Sequence, residues 1–95
     1  MAIFSFPDDA TWNETRRAVE FSVEVGEYRG VVTVPRTVFQ GLIPAPEPAA
    51  CVEAYYLARS RFERAVERKI VRRALTPDGQ IELSLADLKD DSSFG

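Results

Sequence analysis

Val19, Phe21, Val23 and Val25 alternate with Glu20, Ser22 and Glu24, and a period of two over eight residues admits a half-buried strand and little else. Gly26 and Glu27 supply a two-residue reversal, with glycine taking the positive φ, and residues 28–34 return as a partner strand. Pairing about that turn sets Val25 opposite Tyr28 and Val23 opposite Gly30. Tyr28, Val32 and Val34 then share the buried face.

The flanking segments are read around this hairpin. Residues 3–6, Ile-Phe-Ser-Phe, make a short strand ended by Pro7 and the Asp8, Asp9 pair, and the stretch after them is expected as a turn or helical turn laying Trp12 over a core edge. Pro35 suits the first turn of a short helix and Gly41 its end, with Val38, Phe39 and Leu42 docked on the sheet. Residues 44–50 carry three prolines and form a stiff connector, and Pro48 is placed to open the next helix. From residue 49 to 74 there is neither glycine nor proline. Val52, Tyr55, Phe62, Val66 and Ile70 follow three-four spacing there, with Ala58 and Ala65 at the stripe's margin, which predicts one long helix. Residues 76–80 turn the chain, residues 81–85 alternate as a closing strand, and Ser84 with Asp87 has the spacing of a capping box before a terminal helical turn.

The predicted fold is α+β in two layers. An antiparallel sheet of three to four strands, in the order β-β-β-short α-long α-β, carries one long helix on one face. One domain is expected over residues 1–90, with 91–95 as a disordered tail. A helix of about 25 residues is a rod of roughly 37 Å, whereas strands of six to eight residues span about 20 to 27 Å. Part of the rod is expected to overhang, and a second subunit would cover it.

The chain has no histidine, which removes Ser-His-Asp and Cys-His nucleophiles, imidazole zinc sites and the usual neutral-pH base. Its one cysteine, Cys51, cannot form an internal disulfide, lies near the core margin and reads as a packing residue in a reducing cytoplasm. No apolar run approaches the ~20 residues that span a bilayer, and the acidic N-terminus is not that of a secretory signal. Asp8 and Asp9 read as caps of backbone amides, and Glu20 and Glu24 as the wet face of a strand. A carboxylate enzyme would need Asp8, Asp9 or Glu20 gathered in a cleft with an arginine. No catalytic, cofactor-binding or metal-ligating residue is assigned.

Charge is the strongest nonrandom feature. Between Arg59 and Arg73 seven cations stand against Glu63 and Glu67, a local +5 in a chain of net −3, so the remainder carries −8. On a helical wheel Arg61, Arg64, Arg68 and Arg72 fall within about 80° of one another, opposite the apolar stripe. Arg59, Lys69 and Arg73 point toward the stripe and must snorkel or meet carboxylates. Arginine outnumbers lysine ten to two, which suits bidentate carboxylate or phosphate contacts. The ridge is either a phosphate-neutralising surface or a face matched by acidic groups of the sheet, the tail or a neighbour. The second is favoured, because proteins that bind nucleic acid without sequence preference tend to be net basic. Tyr55 and Tyr56 are adjacent, so one faces the core, and the outward Tyr56 is a candidate interface residue.

Phe6, Pro7, Asp8, Trp12, the strand of Ala18, Val19 and Phe21, Gly26 and the long charged helix together resemble a family of small bacterial proteins catalogued as domain of unknown function 1488. The resemblance runs from about Phe4 to Leu88. It implies a small α+β fold and brings no catalytic residue. The expectation is a cytoplasmic, non-catalytic protein-interaction or accessory module, homodimeric or bound to another protein. The alternative is a nucleic-acid-binding regulator using Arg61, Arg64, Arg68 and Arg72.

Overall fold

The computed structural model describes residues 3–73 and 75–89, so the predicted tail at 91–95 lies outside the described residues. In chain order the elements are β1 (Phe4–Ser5), β2 (Thr11–Asn13), β3 (Ala18–Val25), β4 (Tyr28–Pro35), α1 (Arg36–Gln40), α2 (Pro48–Leu57), α3 (Arg59–Val71), β5 (Ile81–Glu82) and α4 (Leu85–Lys89). The fold is α+β. The hairpin has the expected register, with Val25 paired to Tyr28 and Val23 to Gly30, and Gly26 at φ +60°. Val19, Phe21, Val23, Val32 and Val34 face the helices and are buried.

Gly30 is where the missing side chain is used. The ring of Tyr28 lies across it so closely that an added Cβ would meet the phenolic oxygen. From there the Tyr28 hydroxyl donates to the Gly79 carbonyl at 2.7 Å, clasping β4 to the turn before β5.

Three features differ from the sequence reading. β2 is a strand paired with β3, Trp12 opposite Val19, where a turn was expected, because its edge backbone gains ladder partners there. β5 is two residues long and parallel to β4, with Val32 paired to Ile81. The chain reaches it by a crossover through the helices, as a parallel pair requires. The long helix is two helices, broken at Ala58, whose φ of −110° and ψ of 26° leave the helical region. Neither glycine nor proline marks this break, and the contacts of Tyr56 and Arg59 described below hold it. Helices of ten and thirteen residues are about 15 and 20 Å long. Each is no longer than the central strands, so helix length by itself no longer calls for a second subunit.

The core centres on aromatic rings from different elements. Tyr55 stands 4.4 Å from Phe21 and 5.4 Å from Phe62, centroid to centroid, and Phe39 lies 5.8 Å from Phe62. Cys51 is wholly buried beside them, and burial pushes its thiol up against the opposing influence of Arg36. The Tyr55 hydroxyl is buried without a hydrogen-bond partner, and burial pushes it up as well. An unmade buried hydroxyl bond is a liability of about 1–3 kcal/mol, whereas the ring contacts survive its removal. Tyr55→Phe is therefore expected to stabilise the domain by about 1 kcal/mol, read as a higher urea midpoint. A loss of stability would mean that the hydroxyl has a partner.

Candidate interaction surface

The Ala58 break is where the N-terminal segment is fastened. Pro7 lacks an N–H and interrupts the strand between β1 and β2, which both pair with the same edge of β3. Asp9 fills the gap: its carboxylate accepts from the Ser22 N–H at 3.0 Å and the Ser22 hydroxyl at 2.5 Å. Asp8 forms an ion pair with Arg59, which also donates to the Phe6 carbonyl and, at 2.7 Å, to Glu63. Tyr56 accepts from the Ala10 N–H at 3.2 Å, sets its ring edge-on to Tyr55, and has the Arg59 guanidinium 6.0 Å from its centroid. The outward Tyr56 is thus 39% exposed and already tied to residue 10. Glu20 accepts from Asn13 at 3.1 Å, so Asp8, Asp9 and Glu20 hold strands and loops together.

The arginine ridge divides. Arg64 and Arg72 are exposed, and Arg61 and Arg68 half-buried. Arg64, Arg68 and Arg72 line a surface groove of about 340 Å³ with Glu67, Val71 and Phe4, and Arg61 is not among its lining residues. Arg68 also donates to the Asp87 carbonyl at 2.7 Å, tying α3 to α4. Val71, 74% exposed, is an apolar residue in the cationic rim, and Ile3 beside Phe4 is exposed too. The sequence reading missed Val71, although its wheel position, about 180° from Phe62, lies outside any core stripe. Phe4 carried no comparable signal, because only the fold brings β1 to the α3 side.

At the end of the groove's helix, Lys69 stands 3.3 Å from Asp87 and donates to the Glu82 carbonyl at 2.8 Å. Arg59 and Lys69 therefore meet carboxylates, as expected of stripe-edge cations. The capping box also forms: the Ser84 N–H donates to Asp87 at 2.8 Å, and the Asp87 N–H returns to the Ser84 hydroxyl. Burial would raise the Asp87 carboxyl, but the Ser84 N–H and hydroxyl together with Lys69 outweigh it and hold the group below its usual range. Between that lowered value and the ordinary one, about 3.9, the unfolded chain binds the extra proton. Stability from Asp87 is thus full above the ordinary value and lost as pH falls through the folded one. Urea midpoints measured against pH are expected to fall less steeply in acid for Asp87→Asn than for the parent; parallel acid limbs would refute this.

No helix among the described residues is long and apolar enough to cross a membrane. The described residues contain no group of three or more Cys, Asp or Glu able to hold a metal ion.

A five-stranded α+β sheet backed by helices, with a charged groove along one of them, defines a small mixed-fold domain whose distinguishing surface is on α3. Residues 4–83 match the family described as "Protein of unknown function (DUF1488)", and the chain belongs to that family. It is similar to the crystal structure of a protein of unknown function from the same family from Shewanella loihica, with a TM-score of 0.76 at 17% identity, over 84% of this chain and 90% of that one. At that identity the likeness is one of fold. Comparison with curated proteins gave no match.

Proposed function

We propose that this domain is a non-catalytic, cytoplasmic interaction module that engages a protein, a second copy or another chain, through the exposed side of α3. The observation that carries the reading is Val71, mostly exposed in a groove it lines with Phe4 and three arginines. Interfaces are enriched in arginine and aromatic residues around an apolar centre, and a bare valine in a cationic rim fits that composition. The groups an enzyme would draw on are otherwise engaged: Asp8 with Arg59, Asp9 with Ser22, and Cys51 within the core. The Shewanella relative supports a bacterial setting.

Light scattering of the purified chain at micromolar concentration, alone and with proteins captured from the native host, tests this. Val71→Asp is expected to abolish association while leaving the thermal transition unchanged. A strict monomer at every salt concentration removes the homodimer, and capture indifferent to Val71→Asp removes the groove.

The second reading, binding of nucleic acid through Arg64, Arg68 and Arg72 with Arg61 nearby, is favoured by three arginines on one groove. Glu67 in the same groove and the net charge of −3 oppose it. A mobility shift at low salt with duplex DNA, single-stranded DNA and RNA decides between them.

A further inference from the structure

Residues 3–13 reach their place on the sheet through a short joint under backbone strain. Glu14, Thr15, Arg16 and Arg17 connect β2 to β3, and all four are exposed. Arg17 has φ 52°, in the left-handed region that a residue with a Cβ enters only at a cost. The Arg16 N–H closes the turn onto the Asn13 side chain at 3.0 Å.

The segment beyond the joint is attached by contacts that do not require one chain. β1 gives two ladder pairs to β3 and β2 gives three, with Pro7 between them. Asp9 with Ser22, Asp8 with Arg59, and Ala10 with Tyr56 complete the attachment. All of these form equally well when the joint opens and the segment lies on β3 of a second copy. The ladder register fixes what the opened joints then meet. Thr11 pairs with Glu20, Trp12 with Val19 and Asn13 with Ala18. Two extended joints crossing antiparallel in that register set Glu14 opposite the partner's Arg17, and Thr15 opposite the partner's Arg16. By symmetry the charged pair occurs twice, and opposite charges directly across an antiparallel pair attract. Opening also frees Arg17 from its left-handed φ. Both effects favour exchange, and loss of the Arg16–Asn13 bond opposes it.

We propose that this chain forms a strand-exchanged dimer in which residues 3–13 of each copy lie on β3 of the other. The inference stands apart from the α3 reading, and exchange sets two α3 faces on one particle.

The full chain, unfolded in urea and refolded close to its solubility limit, is separated by size-exclusion chromatography with light scattering. A dimer that separates only slowly on dilution is expected, because the ladders must open first. When labelled and unlabelled chains are refolded together, isotope-filtered NOEs should link Trp12 of one copy to Val19 of the other. Arg17→Gly removes both the strain and the pair with Glu14, and should lower the dimer-to-monomer ratio about tenfold, since each dimer has two joints. Arg17→Val, β-branched and averse to positive φ, should raise it. Val71→Asp should leave it unchanged. A dimer without the Trp12–Val19 NOE overturns the exchange, and one abolished by Val71→Asp belongs to the α3 surface instead. Monomer alone at every refolding concentration, in the parent and in Arg17→Val, also overturns it. Should Arg17→Val fail to refold, the parent and Arg17→Gly decide.

Discussion

Phe62→Ala is expected to remove about 4 kcal/mol of stability, a large share of what a domain of this size holds. Phe62 is fully buried and touches rings from two other helices, Phe39 of α1 and Tyr55 of α2. Truncation therefore leaves a cavity whose walls belong to separate elements, each fixed to the sheet by other contacts. Such walls relax little, and the loss should fall within the range for buried phenylalanines, about 3–5 kcal/mol. Urea denaturation should give a lower midpoint at unchanged slope. A loss under about 2 kcal/mol would mean that the three helices close over the gap, contrary to the rigid aromatic centre described here.

Arg59→Ala comes second, at about 2 kcal/mol, and the cause is not chiefly the ion pair. Asp8 is largely exposed, so solvent screens its pairing with Arg59, and Asp8→Ala alone is expected to cost under about 1 kcal/mol. The larger part comes from the Phe6 carbonyl, half-buried between the sheet edge and the helix break, which loses its charged donor. Arg59→Lys keeps the charge but not the fork that reaches Asp8, Glu63 and Phe6 together, and should recover less than half of the loss. A double-mutant cycle of Arg59 and Asp8 separates the two contributions. If Asp8→Ala matched Arg59→Ala, the ion pair would carry the joint and the carbonyl would not.

How much was legible in advance follows from where the information lies. The β3–β4 register, the α1 boundaries, Pro48 at the start of α2 and the Ser84–Asp87 box were all readable, because each is set by neighbours a few residues apart. The break at Ala58 was not. Tyr55 and Phe62 sit seven residues apart, which keeps them on one side whether the helix is continuous or interrupted. What distinguishes the two cases is the grip of Arg59 and Tyr56 on residues 6–10, about fifty positions away. The parallel direction of β5 was hidden likewise, since alternation over Ile81, Leu83 and Leu85 fixes a face but not a direction. Of the candidate surface, the cationic side of α3 was legible from periodicity, and the apolar residues that line the groove with it, Phe4 and Val71, were not.

The parallel pairing of β5 with β4 bears on the order in which the chain can assemble. The hairpin closes over two residues and needs nothing downstream, whereas Val32 meets Ile81 only after the intervening helices are in place. As the chain leaves the ribosome, the hairpin emerges with its valine face bare, and it stays bare until the helical half has followed. Pulse-labelled amide exchange should find β3 and β4 protected before Leu83, whose N–H closes onto the Thr33 carbonyl. For that interval the nascent domain is a client for whatever shields sticky sheets, and its hazard is aggregation during synthesis more than unfolding afterward.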